Sequence, residues 1–139
     1  VGRVVGIDFG MARLGLAISD EKRIIAQPLL ALKAGKDFVH TAQLLAKELA
    51  RYSNIDCIVL GLPLLLSGKE GDMAIKVKAF KGALEQQFGI PVILWDERLT
   101  SQQVDRFLKS ADMKRKQRSQ VCDALAAAAI LENYLSSQQ

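Results

Sequence analysis

Histidine and cysteine are scarce in this chain, with one of the first and two of the second among 139 residues. The single His40 excludes His-rich metal sites, and the absence of a Cys-x-x-Cys pair removes the usual zinc ligand set. A Ser-His-Asp device would depend wholly on His40, which falls in an amphipathic stretch suited to a surface or boundary role. Cys57 and Cys122 each stand among apolar residues and read as reduced core thiols of a reducing compartment. Long apolar runs are also missing. The longest, Ala124 to Leu131, falls far short of the roughly 18 residues of a membrane span. The opening segment carries Arg3 and Asp8 and no small-residue cleavage pattern, so no signal peptide is expected. Repeats, linkers and low-complexity segments are absent.

What is present is the composition of a folded soluble protein: 50% apolar and 24% charged residues. The length suits one domain over residues 1–139, able to bury its own core. The net charge of +4 is compatible with a polyanionic partner. Its distribution is more telling. Lys109, Lys114, Arg115, Lys116 and Arg118 crowd together, opposed only by Asp112. With no aromatic residue among them, they suit phosphate contacts rather than base stacking, or else a solvated loop.

Hydrophobic periodicity orders the elements. Arg3–Asp8, Leu14–Ser19 and Ile24–Leu32 read as three strands joined by short connections, hence antiparallel. Pro28 marks the third as an edge strand. Val39, Ala42, Leu45, Leu49 and Tyr52 repeat at helical spacing. Ile55–Leu60 is a strand. Met73, Val77, Phe80, Leu84 and Phe88 form a second helix, stopped by Gly89 and Pro91. Val92–Trp95 is the fifth strand. Thr100 can cap a helix with Val104, Phe107 and Leu108. After a basic connection, Ser119 can cap a last helix through Leu135. The order βββαβαβαα implies parallel crossovers after the first helix. A mixed five-stranded sheet, three strands antiparallel and then parallel ones, with helices on both faces, is the α/β arrangement called ribonuclease H-like.

The acids fall where that fold would gather them. Asp8 directly follows an apolar strand, Asp96 and Glu97 follow another, and Asp123 sits near the start of a helix apolar nearly all round. An ionised carboxylate in such surroundings is costly unless paired or metal-bound. Carboxyl ends of sheet strands are where α/β folds place ligands. Three converging acids would repel one another, and Mg²⁺ or Mn²⁺, which prefer oxygen ligands, would relieve the repulsion. Each acid also has a purely structural reading: Asp8 turning the chain with Gly10, Asp96 pairing with Arg98, Asp123 favoured by a helix macrodipole. Adjacent strand residues face opposite sides, and sequence alone does not say which of Asp96 and Glu97 faces the site; Glu97 is taken here. The loop from Gly61-Leu62-Pro63 to Gly68-Lys69-Glu70-Gly71 suits either a phosphate contact or a plain connection, and its spacing is not that of a P-loop.

Four segments together resemble the bacterial YqgF-type family, described as pre-16S rRNA nucleases and earlier as Holliday junction resolvases. They are Gly6-Ile-Asp8-Phe-Gly10 with Arg13, Gly15 and Ala17; Gly61-Leu-Pro63 with Gly68; Asp96-Glu97-Arg98-Leu99-Thr100; and Asp123 with Ala126-Ala127, Ile130-Leu131 and Tyr134-Leu135. The resemblance spans essentially the whole chain. One departure is Leu64-Leu65-Leu66, where the family carries a polar Asn after the proline. The resemblance implies a ribonuclease H-like nuclease in the cytoplasm, with Asp8, Glu97 and Asp123 as catalytic and metal-holding acids. Its expected substrate is structured RNA at the 5′ end of pre-16S ribosomal RNA. Arg13, Lys114, Arg115, Lys116 and Arg118 are the expected phosphate contacts, Mg²⁺ or Mn²⁺ the cofactor. A monomer is expected, since no dedicated dimer element is visible. The competing readings are a junction resolvase on branched DNA, a non-catalytic RNA-binding assembly factor on the same scaffold, and an ATPase of the actin and sugar-kinase type.

Overall fold

The computed structural model describes residues 2–63, 67, 71–96 and 115–138, the side chains of 115–122 excepted. Five strands form one sheet: β1 (Arg3–Asp8), β2 (Arg13–Ser19), β3 (Ala26–Lys33), β4 (Ile55–Leu62) and β5 (Val92–Asp96). Their spatial order is β3-β2-β1-β4-β5. β1 pairs antiparallel with β2, and β2 with β3, whereas β4 runs parallel to both β1 and β5. Pro28, which offers no N–H to a ladder, thus stands on an edge strand as expected. The third strand begins later than its apolar run. Asp20 accepts hydrogen bonds from the backbone N–H groups of Ile24 (2.8 Å) and Ile25 (2.9 Å), so turn chemistry claims both and leaves their side chains exposed.

The alternation of side chains divides the sheet into two apolar faces. On one, Val5, Ile7, Leu14, Leu16, Ile18, Ile58, Leu60 and Val92 pack against α1 (Phe38–Leu49) and α2 (Asp72–Phe88). Asp37 caps α1 by accepting from the His40 N–H at 2.7 Å. His40 closes the same turn, its Nδ1 accepting from the Lys36 N–H at 3.2 Å, which is the local role expected of it. Val39, expected on the buried stripe, is 57% exposed; its neighbour Phe38 instead meets Phe9 and Phe80 at ring distances of 5.8 Å. Tyr52 lies beyond the helix end. α2 stops at Gly89, whose φ of 66° is the left-handed cap, with its N–H on the Glu85 carbonyl.

The other face carries α3, Arg115–Ser137. Small residues let the helix lie close: a Cβ on Gly6 would stand 2.8 Å from Leu131 Cβ and 2.9 Å from the Ala127 carbonyl oxygen. Farther along, Ile130, Leu131, Tyr134 and Leu135 fill the space with Val4, Cys57 and Val59. Trp95 and Tyr134 meet edge to face at 5.4 Å. α3 therefore begins at least four residues before Ser119, which is helix interior rather than its cap. Arg115, Lys116 and Arg118 belong to the helix, not to a connection. The expected helix after Thr100, Lys109, Lys114 and the Leu64–Leu66 segment lie outside the described residues. No described helix is long and apolar enough to cross a membrane.

Candidate active site

β1 ends on Asp8, β4 on Leu62 and β5 on Asp96, so all three parallel strands finish at one edge of the sheet. Period two decides which acids share a face there. Val4 packs on the α3 side and Gly6 lies beneath Ala127 and Leu131, which puts Asp8 on that side as well. Asp8 is directly opposite Gly15 of β2. Gly15 is in turn covered by the backbone of Asp123: a Cβ on Gly15 would collide with the Asp123 carbonyl oxygen. One glycine thus joins two acids separated by most of the chain. No larger residue in its place would let α3 come so near the sheet.

Asp96 falls on the other side. It shares parity with Val92 and Leu94, which pack toward α1 and α2, and its side chain is exposed. Position 97 shares parity with Ile93 and Trp95, which pack toward α3. Glu97 itself lies outside the described residues, and among those residues no three acids, histidines or cysteines stand together as a metal cluster.

Arg13 opens β2 on the α3 side and donates from Nε to Asp123 Oδ2. The ion pair is partly solvated, the side chains being 39% and 26% exposed. Asp123 is the ninth residue of α3, two turns inside it, so the macrodipole of a first turn does not account for it. Its neighbour in charge is Arg13. Lys33 is directly opposite Arg13 across the β2–β3 ladder and is exposed. That cation escaped the sequence reading, because nothing local tells which β3 residue will oppose Arg13. The first two turns of α3, which carry Arg115, Lys116 and Arg118, extend about 12 Å ahead of Asp123 at 1.5 Å per residue.

Other reactive groups are accounted for elsewhere. Cys57 is buried and unpaired with any disulfide, and burial pushes its thiol above the ordinary range, which suits core packing rather than nucleophilic attack. Burial likewise raises the Tyr134 hydroxyl beside it. The side chain of Cys122 lies outside the described residues.

A family model described as RuvX: Holliday junction resolvase matches residues 2–137. The chain belongs to the RuvX family. A relative from Protochlamydia amoebophila (strain UWE25), carrying the name "Putative pre-16S rRNA nuclease", is 44% identical over 98% of this chain and 94% of its own. A Gluconobacter oxydans (strain 621H) protein of the same name is 42% identical over 99% of this chain and 85% of its own. Among solved structures, Thermus thermophilus RuvC in complex with a Holliday junction substrate superposes with a TM-score of 0.59. At 17% identity, over 99% of this chain and 96% of that one, it bears on fold alone. The RuvX chain has the ribonuclease H-like sheet that its element order predicts, and its relatives carry the name that its four motifs suggest.

Proposed function

We propose that this RuvX-family chain is a divalent-metal-dependent nuclease of the cytoplasm that trims the 5′ end of pre-16S ribosomal RNA. Residues 1–139 act as one unit and as a monomer. The observation that carries the reading is the convergence of Asp8 and Asp123 on one face, over Gly15, at the carboxyl edge of the sheet. The names of the relatives support the substrate.

Both acids offer hard carboxylate oxygens, the donor type that Mg²⁺ and Mn²⁺ take, so the residues present fit such an ion. Asp8, Asp123 and Glu97 would hold it. When bound, the ion supplies Lewis-acid activation of water and neutralises charge at the phosphorus centre. Arg13 and Lys33 bring positive charge to the same edge, where they bind and orient the phosphates flanking the cut. Lys114, Arg115, Lys116 and Arg118 hold the backbone farther out, without reading sequence.

Cleavage of branched DNA is the second reading, favoured by the family's description. It requires two sites presented with two-fold symmetry. The test is sedimentation for mass, followed by paired cleavage assays on an RNA carrying the 16S 5′ leader and on a four-way DNA junction at equal Mg²⁺ and salt. A monomer that cuts the RNA is expected, with Asp8→Asn folded and inactive. A dimer that nicks the junction symmetrically and spares the RNA would reverse the assignment.

A further inference from the structure

The contact between Arg13 and Asp123 has a consequence for any cation at this site. Asp123 is a proposed metal ligand, yet its Oδ2 already accepts from the Arg13 guanidinium. Asp8 and Asp123 share this face, and Arg13 offsets the charge of Asp123. A divalent ion held by Asp123 would offset the same carboxylate charge. Both positive charges side by side would repel, so guanidinium and metal compete.

We infer that Arg13 is an exchangeable counter-ion: it holds Asp123 while the site is empty and is displaced toward the substrate phosphate when the metal enters. The inference rests on the metal-dependent reading above. Three observations support exchange rather than a fixed strut. The pair is partly solvated, so breaking it does not strand a buried charge. The Asp123 backbone is located independently of Arg13, by its seat on Gly15. Lys33 is directly opposite Arg13, and like charges across a ladder favour an anion beside them, which a substrate phosphate supplies. Arg13 is therefore a positioning residue in the empty protein and a phosphate contact in the loaded one.

A unit charge about 6 Å from a divalent ion costs roughly 1.4 kcal/mol at the dielectric of water, which is tenfold in affinity. Removing Arg13 thus tightens metal binding. The experiment titrates Mn²⁺ into the wild-type chain, Arg13→Gln and Arg13→Lys, reading free Mn²⁺ by electron paramagnetic resonance, with circular dichroism to check folding. Arg13→Gln is expected to bind about tenfold tighter, and Arg13→Lys to stay near wild type. A second readout is the salt dependence of binding to a non-cleavable 2′-O-methyl RNA. On Mn²⁺ loading the wild type gains about one phosphate contact, a steepening of about 0.7 in the log–log slope, and Arg13→Gln does not. Unchanged or weaker Mn²⁺ binding by folded Arg13→Gln, with the wild type saturable, would overturn the exchange and leave the metal reading intact. No saturable Mn²⁺ in either protein at millimolar concentration would overturn the metal reading and the exchange with it.

Discussion

Gly15→Ala tests the architecture of the site with a single methyl group. In the structure that methyl meets the backbone carbonyl oxygen of Asp123, with the Asp123 carbonyl carbon and the Ala124 nitrogen close behind. None of these is the end of a flexible side chain that can swing away. α3 has to rise by on the order of 1 Å to restore van der Waals separation, and it loosens its contacts with Ala17 and Val59 as it does so. Overpacking of this kind costs about 1–3 kcal/mol, and the rigid backbone contact puts it at the upper end. At roughly 3 °C per kcal/mol for a chain of this length, the melting midpoint should fall by about 10 °C. The same rise carries Asp123 away from Asp8, and a misplacement of about 1 Å costs on the order of 100-fold in rate. Two controls separate stability from chemistry. Gly6→Ala meets Leu131 Cβ at 2.8 Å and the Ala127 carbonyl oxygen at 2.9 Å, under the same helix but beyond Asp123, so it should lower the midpoint and spare more of the activity. Gly82→Ala, an exposed position in α2 where a Cβ meets nothing within 4 Å, should gain about 0.5–1 kcal/mol and melt slightly higher. The assays are calorimetry without metal and cleavage of the 16S leader RNA below the lowest midpoint. An unchanged midpoint in Gly15→Ala would refute the close approach of α3. A lowered midpoint with full activity would refute the place of Asp123 in the site.

Strand parity predicts that Glu97→Gln abolishes cleavage while Asp96→Asn, on the opposite face, changes it less than about twofold; equal loss in both would show that parity does not extend past β5. Lys33→Ala should weaken nucleic-acid binding alike for all sequences and flatten the salt slope by about 0.7–0.9, and an unchanged slope would remove Lys33 from the phosphate track. Asp8→Asn should leave metal-free thermal stability level or raise it, because it relieves repulsion from Asp123; a fall by more than about 1 kcal/mol would mean that Asp8 is chiefly structural. Burial raises both Cys57 and Tyr134, so their contribution to stability is complete below the ordinary thiol range and is lost as pH rises through the folded values. Denaturant midpoints should therefore drop above about pH 8.5, and less steeply in Tyr134→Phe.

Much of this molecule is legible locally. Apolar periods place the five strands and the first two helices, because a strand or an amphipathic helix must bury one stripe of its own residues. Pro28 announces an edge for want of an N–H, and Gly89 a helix end for its freedom at positive φ. Asp8 is legible too, as an acid closing an apolar strand. Local rules also mislead where a short-range bond outbids the pattern: Asp20 takes the N–H groups of Ile24 and Ile25 out of the strand, and a plausible cap at Ser119 lies within a helix already under way at Arg115. The candidate site comes together only in the third dimension. Which of two adjacent acids faces α3 depends on strand parity relative to a helix formed later in the chain. The Arg13–Asp123 pair spans 110 positions, and Lys33 becomes its neighbour only through the β2–β3 register. Gly15 looks like any turn-side glycine until the backbone of Asp123 is seen resting on it. Periodicity is a property of one segment, and a sequence states it directly. Register, crossing and charge pairing belong to two segments at once, and only their packing decides them.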